Sequence, residues 1–159
     1  MKLRTIALMA VLTAGSAILT IYFMVPYSIG YFNLGDVLVM SFGVLFSPGL
    51  ALLAGIGPMI GDYALGFGVF APFTLVIKGL EAVLVGVLYR ALPKKLKIVA
   101  FLAGGLFMAL SYGFAYAFIY NSFGSFFTYI VPDTIQGVVS AILAFAIVPL
   151  LIQLKKGMK

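Results

Sequence analysis

Residues 34–61 read LGDVLVMSFGVLFSPGLALLAGIGPMIG, and the fold turns on whether this stretch is one helix or two. A membrane-spanning helix needs about 20 apolar residues, so the stretch is long for one span and short for two. Ser47-Pro48-Gly49 at its middle is a turn signal. Parity settles the matter. Nine of the ten cationic residues fall in three clusters: Lys2 and Arg4; Arg90, Lys94, Lys95 and Lys97; and Lys155, Lys156 and Lys159. Cytoplasmic ends of spans are enriched in Lys and Arg, so all three clusters belong on one side. A single span over 34–61 would send the middle cluster to the opposite side. Two short spans are therefore expected, thinning the bilayer locally or leaning on their neighbours.

Working outward, apolar stretches cover 5–25, 34–46, 49–61, 71–89, 98–120 and 130–154, punctuated by Pro26, Pro48, Pro72, Pro93 and Pro132. Composition agrees: 64% of residues are hydrophobic and 9% charged, against roughly 25% charged in soluble domains. The expected fold is an all-α integral membrane protein, six transmembrane helices in one bundle with both termini cytoplasmic, residues 1–159 forming a single membrane domain. The start, Lys2 and Arg4 before an apolar run containing Ala14-Gly15-Ser16-Ala17, has the outline of a signal peptide, but the run reaches Val25 and is long enough to span.

The net charge of +6 is explained by orientation and anionic lipid, and no basic patch of the nucleic-acid-binding kind accompanies it. There is no His and no Cys, which excludes thiolate or imidazole metal sites and Ser-His-Asp chemistry. No Walker loop is present, so active transport would draw on a partner or an ion gradient. No catalytic residue, cofactor or metal is expected.

In the six-span topology the outer loops are 26–33, 62–70 and 121–129. Eight of the nine tyrosines, all but Tyr89, lie in these loops or in the outer halves of spans. Interfacial belts occupy both faces, so this one-sidedness points to something built on the outer side. Lys78 and Glu81 stand out because ionisable groups inside a span are rare unless they face a cavity or each other. Thr74, Lys78 and Glu81 share one helical face, either as a self-neutralising ion pair with its neighbour or as a polar cavity wall. Asp133 and Gln136 have capping-box spacing at the start of span 6, as do Asn33 and Asp36 at the start of span 2; Ser140 continues the polar stripe inward from Gln136. Asp62 closes a helix, where its charge opposes the macrodipole, and is expected to be solvated at the interface. Tyr112, Tyr116 and Tyr120 recur at every fourth position and suit either packing or a planar ligand. Ala7, Ala10, Ala14 and Ala17 give helix 1 a small-residue face, for packing within the bundle or against another subunit. Gly57 and Gly61 repeat that logic, and there packing within the chain is expected.

Tyr31-Phe32-Asn33-Leu34-Gly35-Asp36, Gly55-Ile56-Gly57-Pro58-Met59-Ile60-Gly61-Asp62 and Ala71-Pro72-Phe73-Thr74-Leu75-Val76-Ile77-Lys78-Gly79-Leu80-Glu81 resemble segments of the substrate-binding S components of energy-coupling factor (ECF) vitamin transporters. The resemblance covers nearly the whole chain. It implies a multi-pass receptor in the cytoplasmic membrane that binds a vitamin near the outer face. It also implies a transmembrane coupling subunit and two cytoplasmic ATPases as partners, and an S component that topples in the bilayer to deliver its cargo. Ala10 and Ala14 match the family's Ala-x-x-x-Ala docking motif for the coupling subunit. The substrate-binding residues expected are Tyr31, Asn33, Asp36, Thr74, Lys78, Glu81, Tyr112, Tyr116, Asn121, Asp133 and Gln136.

A carboxylated vitamin would favour a free cation, ideally Arg, and the intramembrane cation Lys78 is expected to be occupied by Glu81. A neutral ring therefore fits better, riboflavin or a hydroxymethylpyrimidine or thiamine-type ligand; the many Tyr and Phe on the outer side, and the resemblance of the Gly-Asp and Lys-Gly-x-Glu segments to riboflavin-type members, put riboflavin first. The chain departs from riboflavin binders in the spacing of its first outer loop and in offering Asp133 and Gln136 where those have Asn-rich contacts. A self-sufficient carrier using Glu81 as a proton site is the reading from another class.

Overall fold

The computed structural model describes residues 3–27 and 30–157; the expectations resting on Lys2 and Lys159 lie outside them. In chain order the elements are α1 (Leu3–Tyr22), a hairpin of β1 (Val25–Tyr27) and β2 (Gly30–Phe32), α2 (Asp36–Leu45), α3 (Pro48–Ala51), a 3-10 turn (Leu52–Gly55) and α4 (Ile56–Ala64). Then follow α5 (Ala71–Ala91), a second 3-10 turn (Lys94–Leu96), α6 (Lys97–Ile119) and α7 (Phe123–Gly157). Among the described residues, α1, α5, α6 with its preceding turn, and α7 are long and apolar enough to cross a membrane.

The stretch 34–61 is broken where Ser47 turns extended ahead of Pro48, the conformation a residue preceding proline favours. The chain reverses there. The last carbonyls of α2, which no intrahelical donor can reach, are capped from two other helices. Arg90 Nη2 donates to the Gly43 carbonyl at 3.1 Å and to that of Phe46. Lys155 Nζ donates to the Leu45 carbonyl and lies 4.7 Å from the Phe46 ring centroid. The turn at Ser47 thus sits at the same end of the bundle as Arg90 and Lys155.

At 1.5 Å per residue α2 is only about 15 Å long, half the hydrocarbon core of a typical bilayer at about 30 Å. Its first residue, Asp36, meets Lys78, which lies seven residues and so about 10 Å below the start of α5. The missing upper half of α2 leaves a hollow over its N-terminus. The β1–β2 hairpin occupies the mouth of that hollow, with Val25 paired to Phe32 and Tyr27 to Gly30.

Close helix crossings make the rest of the bundle compact. A Cβ on Gly43 would fall 1.9 Å from the Ala82 carbonyl oxygen, and one on Gly86 2.1 Å from that of Gly43, so α2 and α5 touch backbone to backbone. Gly57 of α4 likewise admits Ser16 of α1, as expected for packing within the chain; its Cβ would meet Ser16 Oγ at 2.0 Å. Below the hollow the core is filled by Phe42, Phe46, Ala51, Ala54 and Ala82 on one side and by Met40, Val85, Phe101, Ala141, Ala144 and Val148 on the other. α1 turns Met9, Leu12, Ser16 and Thr20 inward, while Ala7, Ala10 and Ala14 stay exposed.

The fold is helical as expected, with the segment after α1 paired as a short hairpin; the readings of the last span and of the helix caps are corrected. The expected outer loop over 121–129 is already helical from Phe123, and Pro132 lies inside α7 rather than at its start. A proline removes its own N–H from the ladder and leaves the carbonyl four residues earlier, here that of Thr128, without its helical donor, an interruption that membrane helices accommodate. Asp133 is therefore no helix cap. Asn33 does not cap α2 either: the residue preceding that helix is Gly35, with no side-chain cap, and Asn33 Oδ1 instead accepts the Gly35 N–H at 2.8 Å.

Candidate functional site

Seven of the sequence-predicted residues line one cavity in the hollow: Tyr31, Asn33, Lys78, Tyr112, Tyr116, Asp133 and Gln136. The cavity and its mouth together enclose about 390 Å³ of space not filled by protein, the open solvent at the mouth included. Gly30, Asp62, Phe67 and Phe70 complete the wall.

The floor is polar and interlocked. Lys78 Nζ lies 2.5 Å from Asp36 Oδ1 and 3.4 Å from Glu81 Oε2, all three residues almost fully buried. Asp36 is thus the nearer partner, and the expected Lys78–Glu81 pair is part of a triad. Gln136 ties the floor to the hairpin: its Nε2 donates to Asp36 Oδ2 at 2.7 Å and its Oε1 accepts the Asn33 N–H at 2.9 Å. Among the described residues, Glu81 Oε1 and the buried Ser140 hydroxyl oxygen have no hydrogen-bond partner.

Asp62 is buried, not solvated. Both of its oxygens are used: the Tyr31 hydroxyl donates to Oδ1 and the Thr74 hydroxyl to Oδ2, while Tyr112 donates to the Thr74 hydroxyl at 2.8 Å. Asp133 faces it across the cavity with Oδ1 accepting the Tyr27 hydroxyl at 2.6 Å, and its Oδ2 has no partner among the described residues. Burial first, and the adjacent carboxylate charge second, raise both hairpin hydroxyls well above the ordinary tyrosine range. Tyr27 and Tyr31 therefore stay protonated and able to donate.

Aromatic rings form the upper wall. Tyr116 stacks on Tyr129 with centroids 4.0 Å apart, and Phe70 lies 4.8 Å from Tyr116. Across from them Tyr31 packs at 4.9 Å from Phe67, and Lys78 Nζ sits 5.2 Å from the Tyr112 centroid.

The family model for the "ECF-type riboflavin transporter, S component" matches residues 1–156. The chain belongs to this family. Among curated proteins, an "Uncharacterized protein in gap 3'region" of Pyrococcus woesei is 39% identical over 90 residues, a match covering 55% of this chain and 60% of the relative. The chain thus spans about 60% of the length of the relative it matches.

Within this S component the remaining predicted residues fall in two places. Asp36, Thr74 and Glu81 lie behind the cavity wall and hold the residues that line it. Asn121 does not line this cavity: it is exposed and takes φ 47° beyond the end of α6, the left-handed geometry that Asn tolerates at helix ends. Phe67, Phe70, Tyr27 and Asp62 were not among the expected contacts. Asp62 carried a usable signal, since a carboxylate near a helix C-terminus opposes the macrodipole and needs another reason to be there.

Proposed function

We propose that this chain is the membrane-embedded substrate-binding component of an ATP-driven ECF vitamin transporter, and that it binds riboflavin at a pocket opening to the outer face of the cytoplasmic membrane. The observation that carries the ligand class is the state of Lys78. Its ammonium is shared by two buried carboxylates, so it offers no free charge to a carboxylated vitamin. What remains is a wall of aromatic rings and a rim of hydrogen-bonding groups, which suits a neutral heteroaromatic ring. The family's description supports riboflavin among such rings.

Six crossings with both termini inside follow from placing the Ser47 turn, Arg90 and Lys155 at the cytoplasmic end. ATP hydrolysis falls to partner subunits. Ala10 and Ala14, exposed on α1, are the docking face for the coupling subunit, through which two ATPases drive transport. The first experiment is the absorbance spectrum of the detergent-purified protein. A flavin band with about one ligand per chain establishes the reading. If the protein is colourless, riboflavin is titrated against it; absence of fluorescence quenching moves the assignment to a pyrimidine ligand and reopens the proton-coupled carrier, which would transport in liposomes under a pH gradient without ATPases.

A further inference from the structure

The chain has four acidic residues in all, and every one of them is at this cavity. Asp62 and Asp133 line it, and Asp36 and Glu81 lie behind its wall, paired to the lining Lys78. Lys78 is the one cation there among the described residues; Arg90 and Lys155 are engaged at the opposite end of the bundle. The site is an acidic well in a protein of net charge +6.

The four carboxylates differ in what they have left to offer. Asp62 has both oxygens filled by hydroxyl donors, and Asp36 has both filled by Lys78 and Gln136. Asp133 is 5% exposed, lines the cavity, and has Oδ2 without a partner among the described residues. A buried acceptor with no donor is costly, and the donor that would complete it is one the ligand brings.

We propose, resting on the riboflavin reading, that Asp133 Oδ2 takes an N–H or O–H donor of the vitamin and that the acidic well excludes its phosphorylated form. A phosphate monoester brings about two negative charges and acceptor oxygens only. It would face the Asp133 carboxylate, with one oxygen unpartnered among the described residues, beside that of Asp62 in a largely buried site where like charges repel more strongly than in water, with no free ammonium or guanidinium lining the cavity to meet it. The unphosphorylated vitamin brings hydroxyl and imide donors and no charge.

The test is a fluorescence-quenching titration of the detergent-solubilised full chain with riboflavin and, separately, riboflavin 5′-phosphate. The wild type should bind riboflavin at least about tenfold more tightly than the phosphate. Asp133→Asn removes one negative charge and turns the free acceptor into a donor. It should weaken riboflavin binding and shrink the preference to about threefold or less. Tyr27→Phe removes the hydroxyl held by Asp133 but no charge; it should weaken both ligands alike and keep the preference. Equal affinity of the wild type for the two ligands overturns the proposal without any variant. So does an unchanged preference in Asp133→Asn, or a Tyr27→Phe protein that matches it. Folded wild type that quenches neither ligand removes the riboflavin reading itself, and this inference with it.

Discussion

Lys78 holds the floor of the cavity together, and the two carboxylates beside it are not equivalent. Asp36 contacts both Lys78 and Gln136, whereas Glu81 stands farther from the ammonium with one oxygen unpaired. Removing one member of a buried ion pair costs about 3–5 kcal/mol. Asp36→Asn should therefore destabilise the protein by about that much, and Glu81→Gln by about 1 kcal/mol or less because Lys78 keeps its nearer partner. Thermal unfolding followed by circular dichroism would show the difference, and equal losses would refute the ranking. Lys78→Met strands both carboxylates and should weaken ligand binding by more than about tenfold. The hairpin tyrosines give a pH signature. Their folded-state values lie above the ordinary 10.0, so the unfolded chain loses these protons first, and stability should be flat through neutrality and fall above about pH 10. Replacing both Tyr27 and Tyr31 by Phe should flatten that fall. None of this network could be read from the sequence beyond its most conspicuous pair. Lys78 and Glu81 stand on one helix at a spacing that announces contact, but Asp36 and Gln136 reach the same point from other helices, which only the tertiary fold reveals.

At the scale of elements, the legible parts were those where a local signal and a global constraint agreed. Ser47-Pro48-Gly49 is a local turn signal, and charge parity demanded a reversal in the same place; the structure has one there. The start of α7 was misplaced because Pro132 reads locally as a boundary while the apolar and aromatic residues before it extend the helix. The hairpin was hidden because its strands are three residues each and contain Pro26 and Gly30, residues that signal a loop when no partner strand is known. The α2–α5 crossing offers a direct test. Gly43→Ala would place a methyl 1.9 Å from the Ala82 carbonyl oxygen, which backbone cannot yield cheaply, so a loss of about 1–3 kcal/mol or more is expected. Gly49, with nothing within 4 Å of its would-be Cβ, should accept the same change with an unaltered melting temperature.

For the whole molecule, the binding cavity and the proposed docking face are carried by different surfaces. Ala10 and Ala14 are exposed on α1, while the residues that α1 turns inward pack on α4. Ala10→Trp or Ala14→Trp should therefore abolish cellular uptake while leaving ligand affinity in detergent unchanged. Loss of affinity in these variants would mean that the face serves the bundle itself.

Charge is also sorted by end. Every acidic side chain gathers at the cavity, and Arg90 and Lys155 are fastened at the far end of the bundle. With the cavity outward, the bundle is an electric dipole whose positive pole faces the negative interior of an energised cell. Membrane voltage acts on such separated charges, and in the proposed orientation it would favour the receptor upright with its mouth to the medium. Tilting the long axis toward the bilayer plane would then have to be driven against that voltage. A cell that loses its potential would thus lose part of what keeps the empty receptor waiting at the surface.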